Sequence, residues 1–435
     1  MSGSDAGPWL LPLLEARAGA LEQLPAQIYE SPELRPLVGW GHTGQALVAM
    51  RHGDYPRAHQ HLDQALASGA DGDPILRATC AHYRGAVYHH AGQPDAALVQ
   101  LHDALELFST EHFVAGRVLD TLGMVYAATD DYATARELYE AAIRCKERCQ
   151  DKQGLAVSHG QLGRLALDWG DLREAERHFR MDLDLALRLE DERGVALMYG
   201  ALGQVALSDG RAAEAAALLD ESIRRAHLGG WTITEGYARK DRARACLLLH
   251  EREDAEHQLN TAEVLFQPAG FAEGLAHLYR VRAQLWQDLG KYDEAERLLM
   301  RALAHFESMR ERVQVARTQR ELAQLMRRRG ASAVLVSQAL LRGLESAERC
   351  RRHILVREIE AELRAVDEVA YMRHIYQRAR GRGVRVDTAS LLSGERETIT
   401  VLFLDLESST EYMRGTDPEV ILLTLNQMMA KLADV

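Results

Sequence analysis

The 435 residues carry 52 Lys and Arg against 64 Asp and Glu, a formal net charge of −12, and only 6% of them are aromatic. So acidic a balance argues against a general nucleic-acid binder, which needs a basic surface to neutralise phosphates, and no apolar run approaches the roughly 20 residues that span a bilayer. Ten prolines in so long a chain, with abundant Ala, Leu, Glu and Arg, predict an all-α protein packed through small residues.

The opening "MSGSDAG" lacks the basic flank of a signal peptide, so the expected location is cytoplasmic. Residues 1–37 are expected to form an N-terminal capping helix, and a repeat follows over residues 38–343. "LGMVYAATDDYATARELY" from Leu122, "LGRLALDWGDLREAERHF" from Leu162 and "LGQVALSDGRAAEAAALL" from Leu202 begin 40 residues apart. An alanine recurs at Ala58, Ala97, Ala135, Ala175, Ala215, Ala255 and Ala295. In several units a glycine precedes it by five residues (Gly53, Gly92, Gly170, Gly210, Gly290). An apolar residue follows it by four (Leu62, Leu101, Tyr139, Phe179, Leu219, Leu259, Leu299). Each unit therefore reads as a helix, a tight turn and a second helix.

Seven units are visible, and an eighth from about Thr318 is degenerate, with Leu335 where alanine is expected. Gly123, Gly163 and Gly203 in the first helix, with the alanines of the second, are expected to let two backbones approach closely. Tyr88, Tyr126 and Trp286 are expected to fill the space between neighbouring pairs, so that a unit is stable only when stacked on another. Cys80, Cys145, Cys149, Cys246 and Cys350 show no metal-finger or disulfide spacing and read mostly as buried free thiols. The groups His82, His89, His90 and His52, His59, His61 lack a carboxylate-backed triad and read as packing and surface positions rather than a metal site.

These residues resemble the tetratricopeptide repeat, here with a unit of about 40 rather than 34 residues. The resemblance implies a superhelical solenoid whose first helices line the inner, concave surface, where a protein or peptide partner is held. The residue three before the small position of the first helix then points inward: Lys240, Arg280 and Arg320, spaced by 40, with Arg244 and Arg327 nearby. This basic stripe fits two readings. One is a groove for an acidic peptide or carboxylate ligand; the other is a solvated helix face whose charges are answered by partners such as Glu321.

Over residues 344–380 the repeat stops, but apolar positions continue at Leu355, Ile359, Leu363, Val366, Val369, Met372 and Tyr376. That spacing predicts a connecting helix, either a dimerising coil or a cap on the solenoid. Residues 381–397, "GRGVRVDTASLLSGERE", form a polar, glycine-containing linker.

From Thr398 to Leu406 a nearly unbroken apolar and β-branched run predicts a buried strand ending at Asp405. "ESST" makes a turn, and Asp417 and Pro418 open a helix. An aspartate at a strand end either caps the next turn or, with the amides of a small-residue turn, holds a divalent cation and phosphates. Residues 398–435 resemble the opening of a class III adenylate/guanylate cyclase domain through Arg396, Thr400, Val401, Leu402, Phe403, Asp405, Leu406, Ser409 and Thr410. Glu407 and Ser408 depart from its usual turn.

The resemblance implies that Asp405 and the Leu406 carbonyl hold Mg²⁺ or Mn²⁺, and that Ser408, Ser409 and Thr410 face the phosphates of a nucleoside triphosphate. It also implies a homodimer, since such sites form between two protomers, and a two-metal cyclisation that needs a second aspartate. The chain stops at Val435 before that residue, so these 435 residues alone are expected to be inactive. The full expectation is an all-α, tetratricopeptide-type solenoid followed by a truncated α/β cyclase-like segment, acting as the sensory region of a nucleotide cyclase. The alternative is a non-catalytic protein- or peptide-binding scaffold.

Overall fold

The computed structural model describes residues 35–381 apart from 52, 69–72, 108–112, 269 and 351–352. The expected strand and helix within 398–435, and nearly all of the expected capping helix, lie outside the described residues. Those described form eighteen helices and, among them, no strand. The first eight are α1 (Arg35–Arg51), α2 (Tyr55–Ala67), α3 (Pro74–His90), α4 (Pro94–Glu106), α5 (Phe113–Ala128), α6 (Tyr132–Arg148), α7 (Lys152–Trp169) and α8 (Leu172–Arg188). They continue with α9 (Glu192–Ser208), α10 (Ala212–Leu228), α11 (Thr232–Leu248), α12 (Arg252–Phe266) and α13 (Ala272–Asp288). The last are α14 (Tyr292–Ser308), α15 (Arg312–Arg328), α16 (Ala333–Arg349), α17 (His353–Val366) and α18 (Glu368–Gly381). The chain divides into two compact units, Met1–His374 and Ile375–Val435, and the repeats all belong to the first.

Local chemistry starts and stops these helices. Asp54, Asp131, Asp151, Asp171 and Asp191 sit at N-caps, each accepting an amide three residues on, as when Gly154 N donates to Asp151 Oδ1 at 2.8 Å. Between first and second helices the chain reverses through a left-handed residue, Gly53, Gly92, Gly170, Gly210, Gly290 or Gly330. Asp130 and His250 hold that conformation in the third and sixth pairs, where sequence shows no glycine.

The small position of the first helix is occupied in turn by Ala46, Gly85, Gly123, Gly163, Gly203, Ala243, Ala283 and Ala323. A Cβ on Gly163 would lie 2.6 Å from Phe179 Cδ1, one on Gly123 2.7 Å from Tyr139 Cε1, and one on Gly203 2.6 Å from Leu219 Cγ. What each glycine admits is therefore the large side chain four residues past the alanine, and the alanines themselves are fully buried. Burying each such apolar side chain contributes about 1.5–3 kcal/mol.

The eighth pair departs from the expected register. One additional residue after Gly330 starts α16 at Ala333, so Val336 is buried in the alanine's place and Leu335 is 52% exposed. The apolar pattern from Leu344 to Tyr376 also runs over three helices rather than one. Leu344 and Ala347 belong to α16; Leu355, Ile359 and Leu363 of α17 pack with them in one core cluster. Asp367 then opens α18, accepting from Ala370 N at 2.9 Å and from Ser337 Oγ at 3.2 Å.

From α1 to α17 each helix packs on its chain neighbours, and most first helices also pack on the first helix of the next pair. No two second helices pack on one another to a comparable extent. First helices thus occupy the more tightly curved side of the array, which makes theirs the inner face. Among the described residues no helix is long and apolar enough to cross a membrane.

Candidate functional site

One residue past the small position, the first helices present Arg164 (α7), Gln204 (α9), Arg244 (α11), Gln284 (α13) and Gln324 (α15), spaced by 40 and partly or fully exposed. Polar links run along this ladder. Arg164 Nη1 donates to Gln204 Oε1 at 2.9 Å, and Gln204 Nε2 donates to Asp241 Oδ2 at 2.8 Å. Farther on, Gln324 Nε2 donates to Glu362 Oε1 at 2.9 Å. A cleft of ≈ 360 Å³ opens along α9–α15, where Leu207, Leu247 and Leu248 lie beside Arg244, Gln284 and Gln324. Amide and guanidinium groups at helix-pair spacing beside an apolar strip suit a ligand with a repeating polar backbone and apolar side chains.

The sequence-predicted basic stripe lies on these same helices, already engaged with carboxylates of the chain. Lys240 and Asp241 are nearly buried, with Nζ 3.1 Å from Oδ1. Burial lowers the Lys240 pKa. Burial alone would raise that of Asp241, but the Lys240 ammonium, the Arg244 guanidinium and the Gln204 amide hold it below its ordinary value. Arg244 Nη1 reaches Asp241 Oδ1 at 3.4 Å. Arg280 Nε donates to Glu321 Oε2 at 2.9 Å, and its Nη1 donates to Gln314 Oε1 at 2.9 Å. Arg320 donates to Glu362 Oε1 at 2.7 Å and Glu358 Oε2 at 2.5 Å. Arg327 is exposed on α15, in register with Leu207, Leu247 and Gln287. Glu321 therefore answers Arg280 of the preceding first helix, rather than the neighbouring Arg320.

A second cleft of ≈ 330 Å³ sets Asp130, Tyr132 and Asp168 opposite Arg280, Arg317 and Arg320. At its acidic side Trp169, 56% exposed, meets Tyr132 edge-on with ring centroids 4.3 Å apart. The fold thereby brings an acidic and aromatic edge from the fourth and neighbouring third pair to the cationic stripe of the last pairs. No sequence period predicts that juxtaposition.

Sequence reasoning also missed the polar interior. Lys146 of α6 is fully buried and ion-paired with Asp120 of α5, and it donates to Ser158 Oγ at 2.8 Å and the Gly154 carbonyl at 3.1 Å. Ser158 Oγ in turn donates to Asp120 Oδ1 at 2.7 Å. Burial raises the Asp120 pKa, against the opposing pull of the Lys146 ammonium. His82 Nε2 lies 2.8 Å from Thr121 Oγ1, and burial pushes its pKa down to about 3. His159 and His178 meet through their Nδ1 atoms at 3.0 Å, both with burial-lowered pKa values. Burial, with the charge of Asp191, pushes Asp182 up to about 7. Cys80, Cys145 and Cys246 are buried and outside any disulfide, while Cys149 and Cys350 are half-buried. Asp405, Leu406, Ser408, Ser409 and Thr410, the expected metal and phosphate residues, lie outside the described residues.

Helix pairs of about 40 residues, a small-residue lock inside each pair and an inner face of first helices define a tetratricopeptide-type solenoid. Residues 42–351 match the MalT-like TPR region, and the chain belongs to that family. Among solved structures it is similar to a Rap protein complexed with competence and sporulation factor (TM-score 0.52, 11% identity, covering 76% of this chain and 98% of that one). It is also similar to the Rap conjugation gene regulator of plasmid pLS20 in complex with the Phr* peptide (TM-score 0.52, 17% identity, 79% and 96% covered). The apo form of RapI is similar at TM-score 0.53 and 11% identity, with 82% and 99% covered. At these identities the likeness is one of fold. No curated protein sequence matches the chain.

Proposed function

We propose that the protein is a peptide-binding scaffold whose inner face, from α7 to α15, receives an extended segment of a partner. The observation that carries this reading is the ladder of Arg164, Gln204, Arg244, Gln284 and Gln324 beside Leu207, Leu247 and Leu248. Glutamine both donates and accepts, so it can pair with successive backbone N–H and C=O groups whatever the peptide's sequence. The adjacent leucines select for apolar side chains. Because Lys240, Arg280 and Arg320 already share carboxylates of the chain, an acidic ligand would have to displace Asp241, Glu321, Glu358 and Glu362. Backbone recognition leaves those ion pairs in place, with Gln204 and Gln324 sharing or exchanging only their own amide bonds to Asp241 and Glu362. The fold likeness to the Rap conjugation gene regulator solved in complex with the Phr* peptide supports a peptide as the partner.

The test is selection from a random decapeptide library on the full chain, followed by fluorescence anisotropy with an enriched peptide. Gln284→Ala combined with Gln324→Ala is expected to weaken binding at least about tenfold, two lost hydrogen-bond sets of roughly 1 kcal/mol each. Arg280→Glu with Arg320→Glu separates the two ligand chemistries: a large loss there with none in the glutamine double variant overturns backbone recognition. Absence of any enriched peptide overturns the scaffold reading altogether.

A second reading rests on the sequence around Asp405. In it, the solenoid governs a class III cyclase domain that begins at residue 398, with Asp405 and the Leu406 carbonyl holding Mg²⁺ or Mn²⁺. Ser408 to Thr410 would face the nucleoside triphosphate, and a homodimer would complete the site. Its support is the matched run Thr400–Phe403, Asp405, Leu406, Ser409 and Thr410. Manganese-dependent binding of a non-hydrolysable nucleotide is the direct measurement, and binding undiminished by Asp405→Ala would remove this reading.

A further inference from the structure

We propose that Glu348, Glu360 and His374 form a divalent-cation site that staples α18 to the end of the repeat array. The three residues come from three different helices, α16, α17 and α18, and their ligating atoms all lie within 4.8 Å of one another. His374 Nε2 is 3.2 Å from Glu348 Oε1, and all three side chains are half-buried. Two atoms each bonded to one ion at about 2.1 Å stand at most about 4.2 Å apart. Small rotations of the two glutamate side chains therefore suffice to close the set.

Charge and donor type favour the same occupant. As metal ligands the two carboxylates bring two negative charges, which one dication neutralises. One nitrogen and two oxygen donors suit Zn²⁺ or Mn²⁺ better than Mg²⁺ or Ca²⁺, which take all-oxygen shells. Glu360 also lines an open cleft together with Arg357, Arg364, Glu368 and Tyr371, so this ligand is reachable from solvent.

The arrangement also answers a need of the fold. Helix α18 meets the core cluster through Ala370 and Tyr371, while Val369 is 68% exposed and Met372 is also exposed. The array also holds α18 through Ser337 Oγ of α16, which donates to the N-cap residue Asp367, and through Arg364 of α17, which pairs with Glu368 at 3.7 Å. A cation shared with α16 and α17 would strengthen the link that His374 already makes to Glu348, about two turns beyond Asp367.

The test is titration of metal-free full-length chain with ZnCl₂ and separately MnCl₂, read by isothermal calorimetry and by amide hydrogen exchange of α18. One ion is expected to bind per chain, with slowed exchange in α18. His374→Ala and Glu360→Gln are each expected to weaken uptake by at least about tenfold. Glu360→Gln keeps the side-chain shape and so reads the site even where His374→Ala disturbs folding. The proposal fails if the wild-type chain takes up neither ion, or if uptake is unchanged in both variants. An effect of Asp405→Ala with none from these two places the ion elsewhere and equally overturns it.

Discussion

Replacing Lys146 by methionine tests whether the buried polar cluster holds the third and fourth helix pairs together. The substitution keeps the stem that packs on Gly116, where an added Cβ would lie 2.8 Å from Lys146 Cγ, but removes the ammonium. Asp120 then loses its ion pair, while Ser158 Oγ still donates to it at 2.7 Å. The bonds from Nζ to Ser158 and to the Gly154 carbonyl disappear as well. Breaking a buried pair in this way costs about 3–5 kcal/mol, a large share of the roughly 5–15 kcal/mol that holds a typical domain. Because each repeat contacts only its neighbours, the damage should stay local. Urea unfolding followed by circular dichroism is expected to show an early transition, and hydrogen exchange to accelerate in α5–α8 while α13–α16 stay protected. The deficit depends on pH with a defined sign. Burial raises the folded-state pKa of Asp120 above its unfolded value, so the folded variant regains stability as falling pH protonates that carboxyl and is weakest above that folded-state pKa. Asp120→Leu added to Lys146→Met should recover most of the loss. A loss below about 1 kcal/mol, equal at pH 5 and pH 8, would refute this account of the cluster.

Three further outcomes follow from the packing. Gly163→Val puts a Cβ 2.6 Å from Phe179 Cδ1 and should cost about 1–3 kcal/mol by overpacking; an unchanged melting temperature would contradict the glycine lock. Glu190 holds φ 55° between α8 and α9, so Glu190→Gly should stabilise the chain by about 0.5–1 kcal/mol, the left-handed penalty less the entropy of the added glycine; a lower urea midpoint would count against it. Asp182, pushed up to about 7 by burial and Asp191, favours the folded state while protonated, a contribution lost as pH rises through that value. Asp182→Asn should accordingly raise the urea midpoint at pH 8 and change it little at pH 5, and the reverse order would exclude the assignment.

The helix-pair period was legible because steric necessity writes it into residue size. The eight small positions and the buried alanines recur since nothing larger fits beside Tyr139, Phe179 or Leu219. What stayed hidden depends on contacts between units. Asp130 and His250 bear the left-handed turn without a glycine to announce it. A single added residue after Gly330 moved the buried position from Leu335 to Val336. The 40-residue recurrence of Lys240, Arg280 and Arg320 was readable, but their carboxylate partners were not, since Glu321 lies 41 residues from Arg280 and Glu362 lies 42 from Arg320. Glu348, Glu360 and His374 follow no ligand spacing at all; only the packing of three helices brings them together. The ladder of Gln204, Gln284 and Gln324 was present in the sequence, yet it drew no notice beside the more conspicuous charges.

The glycine lock makes each helix pair self-contained. Gly163 and Phe179, or Gly203 and Leu219, sit sixteen residues apart inside one unit, so excising or duplicating a whole 40-residue block leaves every remaining lock whole. Copy number can therefore drift in such an array with little harm to its interior. The exception is the seam where Ser158 and the Gly154 carbonyl of the fourth pair bond to the buried Asp120–Lys146 ion pair of the third: a cut there would leave that ion pair without the partners that satisfy it.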